Sequence, residues 1–283
     1  MFPEPPVMSL PAHRYWSNLS TEDIRQRVGP ATVAVLPLAA IEQHGPHLPL
    51  STDLDIGMGL AEAAFARLPA EIDALLLPPL AIGLSLEHAH FPGTLSLSPT
   101  TAQAVIAEVG GSIAAAGVRR LILFNSHGGN KAVVDLAALG LRATHDMLVV
   151  RANYFRFAPP ADALPAQELR HGLHGGALET SMMLHLAPAK VRSDALANWS
   201  SLGCTLADHD MRLGPEGEAG FAWLAEDLNP AGVTGNALLA NAALGARLVE
   251  HFAAVLAELI LDTARFDLAW LESRPQTDQA RQP

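Results

Sequence analysis

The chain has 283 residues, 49% of them hydrophobic and 17% charged, which excludes a disordered, collagenous or coiled-coil protein and supplies a large core. Eighteen Lys and Arg against 29 Asp and Glu leave a formal net charge of −11, a field that repels phosphate backbones and anionic lipids, so neither nucleic acid nor a membrane is expected as partner. A lone cysteine, Cys204, has no CxxC pair, and the first residues lack the basic start and apolar run of a signal peptide; both point to the cytoplasm. The apolar stretches 74–86 and 244–261 are cut by Pro78 and Pro79 or by Arg247, Glu250, His251 and Glu258, short of the roughly 18 clean residues of a spanning helix.

In chain order, short apolar runs alternate with segments of helical period. Residues 32–37 (TVAVLP) predict a strand and 54–68 a helix. A second strand is expected over 75–82, at an edge or bent because of Pro78 and Pro79. Pro99 marks a helix start, with Val105, Ile106, Val109 and Ile113 striping 101–116. Strand 120–124 (RLILF), helix 132–144 and strand 147–151 follow. Residues 152–168 predict a surface loop, 214–233 an irregular segment, and 236–263 a long apolar-striped helix. Repeated β-then-α alternation predicts one α/β domain over 1–283, with a largely parallel sheet covered by helices on both faces and loose ends at 1–15 and 272–283. Ligands in such sheets lie at the carboxyl ends of strands.

Seven of the twelve histidines fall in four short Gly- and Pro-bearing segments. Glu42-Gln43-His44-Gly45-Pro46-His47-Leu48-Pro49, with Asp53 beyond, follows the first strand; extended backbone there sets Glu42 and His44 side by side. Glu, His and Asp are the ligand set of zinc, manganese or iron; alternatively, Asp53 caps the next helix and His44 bonds turn backbone. Asn125-Ser126-His127-Gly128-Gly129-Asn130 lies between a strand and a helix, without the Lys-Ser or Lys-Thr of a phosphate loop, so His127 reads as a metal ligand or as a turn histidine. His171-Gly172-Leu173-His174-Gly175-Gly176-Ala177-Leu178-Glu179-Thr180-Ser181 brings Glu179 to a helix start. Glu87-His88-Ala89-His90-Phe91-Pro92-Gly93-Thr94 reads as pocket lining or as a hairpin-like loop. His13, His145, His185, His209 and His251 have no supporting motif, no GxSxG elbow exists, and Cys204 reads as a small buried residue.

Together these segments, with Gly232-Val233-Thr234-Gly235, resemble the creatininase (creatinine amidohydrolase) family over roughly residues 30–255. The resemblance implies a three-layer α/β/α sandwich, two divalent metal ions (zinc, manganese or iron), and hydrolysis of a carbon–nitrogen bond in a small cyclic amide or formamide by a metal-activated water. Carried over by position, Glu42 and His127 are ligands of one ion, His44 of the other, and Asp53 the bridge. Where creatininase has a Tyr and a Glu, this chain has Gly128 and Gly129, so Glu179 replaces the missing ligand. The Gly-Gly form is similar to the branch holding formamidopyrimidine deformylases and the mycofactocin-system peptidase. His174 is the expected proton donor, with Glu179 the alternative; His88, Arg170 and Gly128 are assigned to substrate, and a homohexamer is implied. Two other readings compete: a non-catalytic metal- or ligand-binding protein that has lost the second site, and a dinuclear phosphoesterase served by Lys131 and Arg170.

Overall fold

The computed structural model describes residues 10–271. Four strands, β1 (Val33–Leu38), β2 (Ala74–Leu76), β3 (Arg120–Asn125) and β4 (Leu148–Asn153), form a parallel sheet in the order β2-β1-β3-β4. Val33 pairs with Ala74 and Arg120, and Arg120 with Leu148, so all the strands end at one rim. Parallel neighbours need crossovers. These are α2 (Thr52–Phe65), α3 (Pro99–Ala115) and α4 (Lys131–His145), after a short α1 (Thr21–Arg27). Ser98 caps α3 by accepting from the Thr101 N–H, with Pro99 at the first helical position as expected.

Successive side chains of a strand point to opposite faces, and β1 uses both. Val33 and Val35 pack with α2, with α6 (Ala177–Leu186) and with α9 (Ala242–Arg265); Ala34, Leu36 and Leu38 pack with α3 and α4. This burial on both faces explains why the strands read as unbroken apolar runs, and it makes the three-layer α/β/α sandwich. The stripe Leu244, Leu248, Phe252, Leu256 and Ile260 of α9 is buried against this core, at the four-residue spacing of one helical face.

Between β4 and α9 lie α5 (Ala166–His171), α7 (Leu202–Asp208), α8 (Ala225–Leu228) and two small ribbons. In these, β5 (Asn198–Trp199) pairs with β8 (Gly235–Asn236), and β6 (Leu213–Gly214) with β7 (Ala219–Gly220). No helix among the described residues is long and apolar enough to cross a membrane.

Four sequence expectations are corrected. Strand 75–82 shrinks to Ala74–Leu76, with Leu80 bridged to Leu38, because Pro78 and Pro79 have no N–H for the ladder. The segment 152–168 is a surface loop only in its middle, 157–165; at its ends Tyr154 and Glu168 are buried, and α5 starts at Ala166. The last helix starts at Ala242, where the Asn241 side chain caps it, and not at 236. Of the N-terminal residues expected to be loose, Leu10, Arg14 and Tyr15 are packed: Leu10 is in the core, Tyr15 lies against it, and buried Arg14 donates to the carbonyls of Pro69 and Ile72. Residues 1–9 and 272–283 lie outside the described residues.

Candidate metal centre

The rim formed by the strand ends carries the histidine segments, as the parallel sheet requires. After β1 the chain turns at Gly45, whose φ of +68° suits glycine and which packs against the Val233 side chain. The extended stretch before it sets His44 Nε2 4.0 Å from Glu42 Oε1. Asp53 sits in the first turn of α2, yet the capping position belongs to Ser51. Its carboxylate instead reaches back, Oδ1 lying 3.3 Å from His44 Nε2 and Oδ2 3.1 Å from His127 Nδ1.

His127 is aimed by the end of β3. Asn125 Oδ1 accepts from the His127 N–H, and Asn125 Nδ2 donates to the His127 carbonyl. The ring's Nε2 lies 2.7 Å from the Leu84 carbonyl; donating there leaves the Nδ1 lone pair facing Glu42 Oε1 at 3.2 Å and Asp53. His44 is fixed likewise: Nδ1 donates to the Glu42 carbonyl at 3.1 Å, which turns the Nε2 lone pair toward Asp53 and toward Glu179 Oε2 at 4.0 Å. Glu179, in the first turn of α6, accepts from the Gly175 N–H at 2.6 Å and from the Tyr154 hydroxyl. Ser85 donates to the other oxygen of Glu42.

His174 hangs from the segment before α6. Its Nε2 donates to the Gln43 carbonyl at 2.7 Å, so the Nδ1 lone pair faces Glu42 Oε1 at 3.7 Å. Its ring stacks on buried His88, whose Nδ1 takes a hydrogen bond from Gln43 Nε2 at 2.7 Å and whose Nε2 lies 3.6 Å from Glu42 Oε1.

Electrostatically the cluster is under-neutralised. Burial, with the Asp53 charge beside it, pushes the Glu42 carboxyl up to about 7 against the pull of His127. Burial would lower His44, but Asp53, Glu179 and Glu42 outweigh it and hold the ring at about 9. His127 is raised well above its ordinary value in the same way, by Glu42 and Asp53 over burial. Asp53 is pulled below the usual carboxylate range by His44 and His127 despite burial. Burial, together with the charges of His44 and His88, holds His174 well below 6.5.

Do these residues suit metal ions? His44 Nε2 and Asp53 Oδ2 are buried without a hydrogen-bond partner, a costly state for polar atoms. Three sets of donor atoms lie within 4.8 Å of one another: Glu42, Asp53 and His127; His44, His174 and Glu179; and Glu42, His88 and His174. The N–H groups of three histidines in these sets, His44, His127 and His174, are tied to carbonyls, the usual outer support of a metal-bound imidazole. The donor set therefore fits divalent cations of the zinc or manganese kind.

Of the residues expected from sequence, Glu42, His44, Asp53, His127, His174, Glu179 and His88 converge. Gly128 lies exposed beside them, with nothing within 4 Å of where a Cβ would stand. Arg170 does not join them; it is exposed on α5 and lines a separate cavity of about 390 Å³ with Leu173 and Arg212. Gly129 has no room for a side chain, since a Cβ there would meet His127 Nε2 and the Leu84 carbonyl at 2.5 Å. Tyr154, Ser85 and Gln43 were not foreseen as site residues. Tyr154 is the first residue after β4, where the rule of strand carboxyl ends would have found it.

Buried carboxylates and imidazoles at the rim of a parallel α/β/α sheet define a candidate metal centre in an α/β protein of the kind whose sites lie at strand carboxyl ends. The chain belongs to the creatininase family: the family model described as creatinine amidohydrolase matches residues 17–260. It is 33% identical over 235 residues to the mycofactocin precursor peptide peptidase of Mycolicibacterium smegmatis (strain ATCC 700084 / mc(2)155), covering 82% of this chain and 85% of that protein. It is 33% identical over 183 residues to the creatinine amidohydrolase of Pseudomonas putida, covering 59% and 68%. A solved creatininase superposes with a TM-score of 0.74 at 26% identity, over 90% of this chain and 99% of the other. Another, named as the manganese form, gives 0.73 at 25% identity, over 88% and 98%.

Proposed function

We propose that this chain is a dinuclear metal-dependent amidohydrolase that cleaves the carbon–nitrogen bond of a small amide. The observation that carries the reading is Asp53, with one oxygen turned to His44 and the other to His127, and with unsatisfied atoms on both sides of that bridge. Glu42 and His127 would hold one cation, His44 and Glu179 the other, and Asp53 both. Bound there, divalent cations would supply a water acidic enough to deprotonate at neutral pH and positive charge for a developing oxyanion.

The chain's own residues do the rest. His174 is kept neutral by its burial, and its Nε2–H is committed to the Gln43 carbonyl. Nδ1 is free to take a proton from the attacking water. The hydroxyl oxygen adds to the amide carbon, the carbon–nitrogen bond breaks, and Nδ1 returns the proton to the leaving nitrogen. A group of this kind contributes about 10²–10⁴ in rate. His88 holds the His174 ring by stacking at a centroid distance of 4.1 Å. Gly128 leaves the approach beside His127 open. Glu179 would take the proton-donor role were it not a ligand.

The implied cyclic amide or formamide belongs to this proposal, as do a homohexamer and a cytoplasmic location. The relative named as a peptide peptidase covers more of the chain than the one named creatinine amidohydrolase, which sets a linear amide beside the cyclic amide and formamide as a substrate to test. A phosphoesterase is disfavoured because Lys131 is engaged by Glu216 at 2.7 Å. Elemental analysis with a screen of linear amides, lactams, formamides and phosphate esters tests the reading. About two equivalents of metal per chain with amide cleavage are expected. One equivalent or none, without turnover, would leave a non-catalytic binding protein.

A further inference from the structure

Glu168 is a buried carboxylate that belongs to none of the metal-suited sets. It sits in α5, 8% exposed, and among the described residues no Lys, Arg or His forms an ion pair with it. Both its oxygens are taken by backbone. Oε1 accepts from the Ala177 N–H at 2.7 Å, the first residue of α6, and Oε2 from the Asn236 N–H at 2.8 Å, in β8. The carboxylate is enclosed by glycines: a Cβ on Gly172 or Gly176 would stand 2.6 Å from Oε1, and one on Gly235 2.7 Å away. Three glycines at these places admit the carboxylate where any larger residue would exclude it.

The segment so clamped carries the chemistry. His174 lies midway between Gly172 and Gly176, and its carbonyl accepts from the Thr234 N–H at 2.8 Å, next to the β8 end of the clamp. Glu179 is two residues beyond Ala177, on the same first turn. From the opposite side His47 Nε2 contacts the Gly175 carbonyl at 2.9 Å. We infer that Glu168 is a positioning residue that sets the His174 ring and the Glu179 carboxylate against the centre by joining the start of α6 to β8. This rests on the proposed metal-dependent function for its consequence, though not for its geometry.

Charge and two acceptors are both needed, because two N–H donors converge on it. Glu168→Gln has nearly the same shape but only one acceptor oxygen, and its amide NH₂ would face the other N–H. The test compares the wild-type chain with Glu168→Gln and with Glu168→Asp, which keeps the acceptors but draws them back. Co²⁺ titration read by visible absorption reports the ligand set, and amide hydrogen exchange reports the segment with no metal present.

In both variants, exchange over residues 172–180 is expected to quicken about tenfold or more while the sheet is unchanged, a local opening. The weaker of the two Co²⁺ equivalents should lose about 10–100-fold in affinity with altered bands, the usual loss when outer support is removed. Unchanged exchange and an unchanged cobalt spectrum in either variant would overturn the inference. Failure of the wild type to take up two equivalents would instead count against the proposed function, and the exchange data would still decide the role of Glu168. Should Glu168→Gln not fold, Glu168→Asp carries the comparison.

Discussion

Replacing Asn130 with alanine should unfold the rim before it touches any metal-suited group. Asn130 is 3% exposed and ties the ends of β1 and β3 to the loop at Leu84: Oδ1 accepts from the Leu84 N–H at 2.9 Å, and Nδ2 donates to the Ala39 carbonyl at 3.1 Å and to Asn125 Oδ1 at 3.2 Å. Asn130→Ala strands one backbone N–H and one carbonyl in a buried place. Each buried group left unpaired costs about 1–3 kcal/mol, so the loss is about 2–6 kcal/mol for the two, a large part of the roughly 5–15 kcal/mol that holds a domain together. Urea unfolding of the metal-free chain measures it as a lower midpoint at constant slope. Asn130→Asp should not rescue, because a carboxylate oxygen would face the Ala39 carbonyl. The Leu84 carbonyl also fixes His127, so metal affinity should weaken as well. A midpoint within about 0.5 kcal/mol of wild type would refute this reasoning.

Other perturbations probe the centre directly. In the metal-free chain, stability should fall as the pH rises from about 7 to 9: folded His44 keeps its proton to about 9, whereas an unfolded histidine has released it above about 6.5. Each pH unit in that window costs at most about 1.4 kcal/mol for this group, with His127 acting in the same direction; added metal should reverse the slope, because cation binding displaces those protons. A melting temperature that climbs over this window in chelator would contradict the account. His174→Ala should retain both metal equivalents while kcat drops about 10²–10⁴-fold; loss of an equivalent would make His174 a ligand, as its place beside His44 and Glu179 also allows. Gly129→Ala should push His127 and the Leu84 carbonyl aside, costing about 1–3 kcal/mol and weakening metal retention on dialysis.

The sheet was readable because its strands are buried on both faces. Residues 121–124 have no polar position to interrupt the run, and β1 is buried end to end. Where the reading slipped, short-range chemistry had overruled pattern. Pro78 and Pro79 ended β2 early, and the Asn241 side chain, accepting from the Leu244 N–H at 2.9 Å, began α9 six residues after the apolar stripe seemed to open. Segment 152–168 departs from the surface-loop reading at its ends for a different reason. Its Pro and Ala content describes a chain without regular structure, but burial of Tyr154 and Glu168 is decided by α6 and β8, which arrive from elsewhere in the sequence.

The centre shows the same division, and its charge count carries an argument of its own. Glu42, His44 and Asp53 are close in sequence and could be grouped by residue type alone. Glu179 joins them only through the fold, at the start of a helix whose origin Glu168 holds. Glu42, Asp53 and Glu179 place three carboxylates in the metal-suited sets, and Glu87 Oε1, 3.6 Å from His127 Nε2, adds a fourth beside them, with no Lys or Arg among the ion pairs of the cluster. One divalent cation would leave that group negative, and a negative centre repels both a hydroxide nucleophile and an oxyanion. Two cations would balance the four carboxylates, so that an attacking oxygen brings its negative charge to a neutral centre and not to an anionic one. The count of carboxylates at this rim is thus a physical reason to favour two ions, with Glu179 offering from α6 an acidic donor that Gly129 lacks.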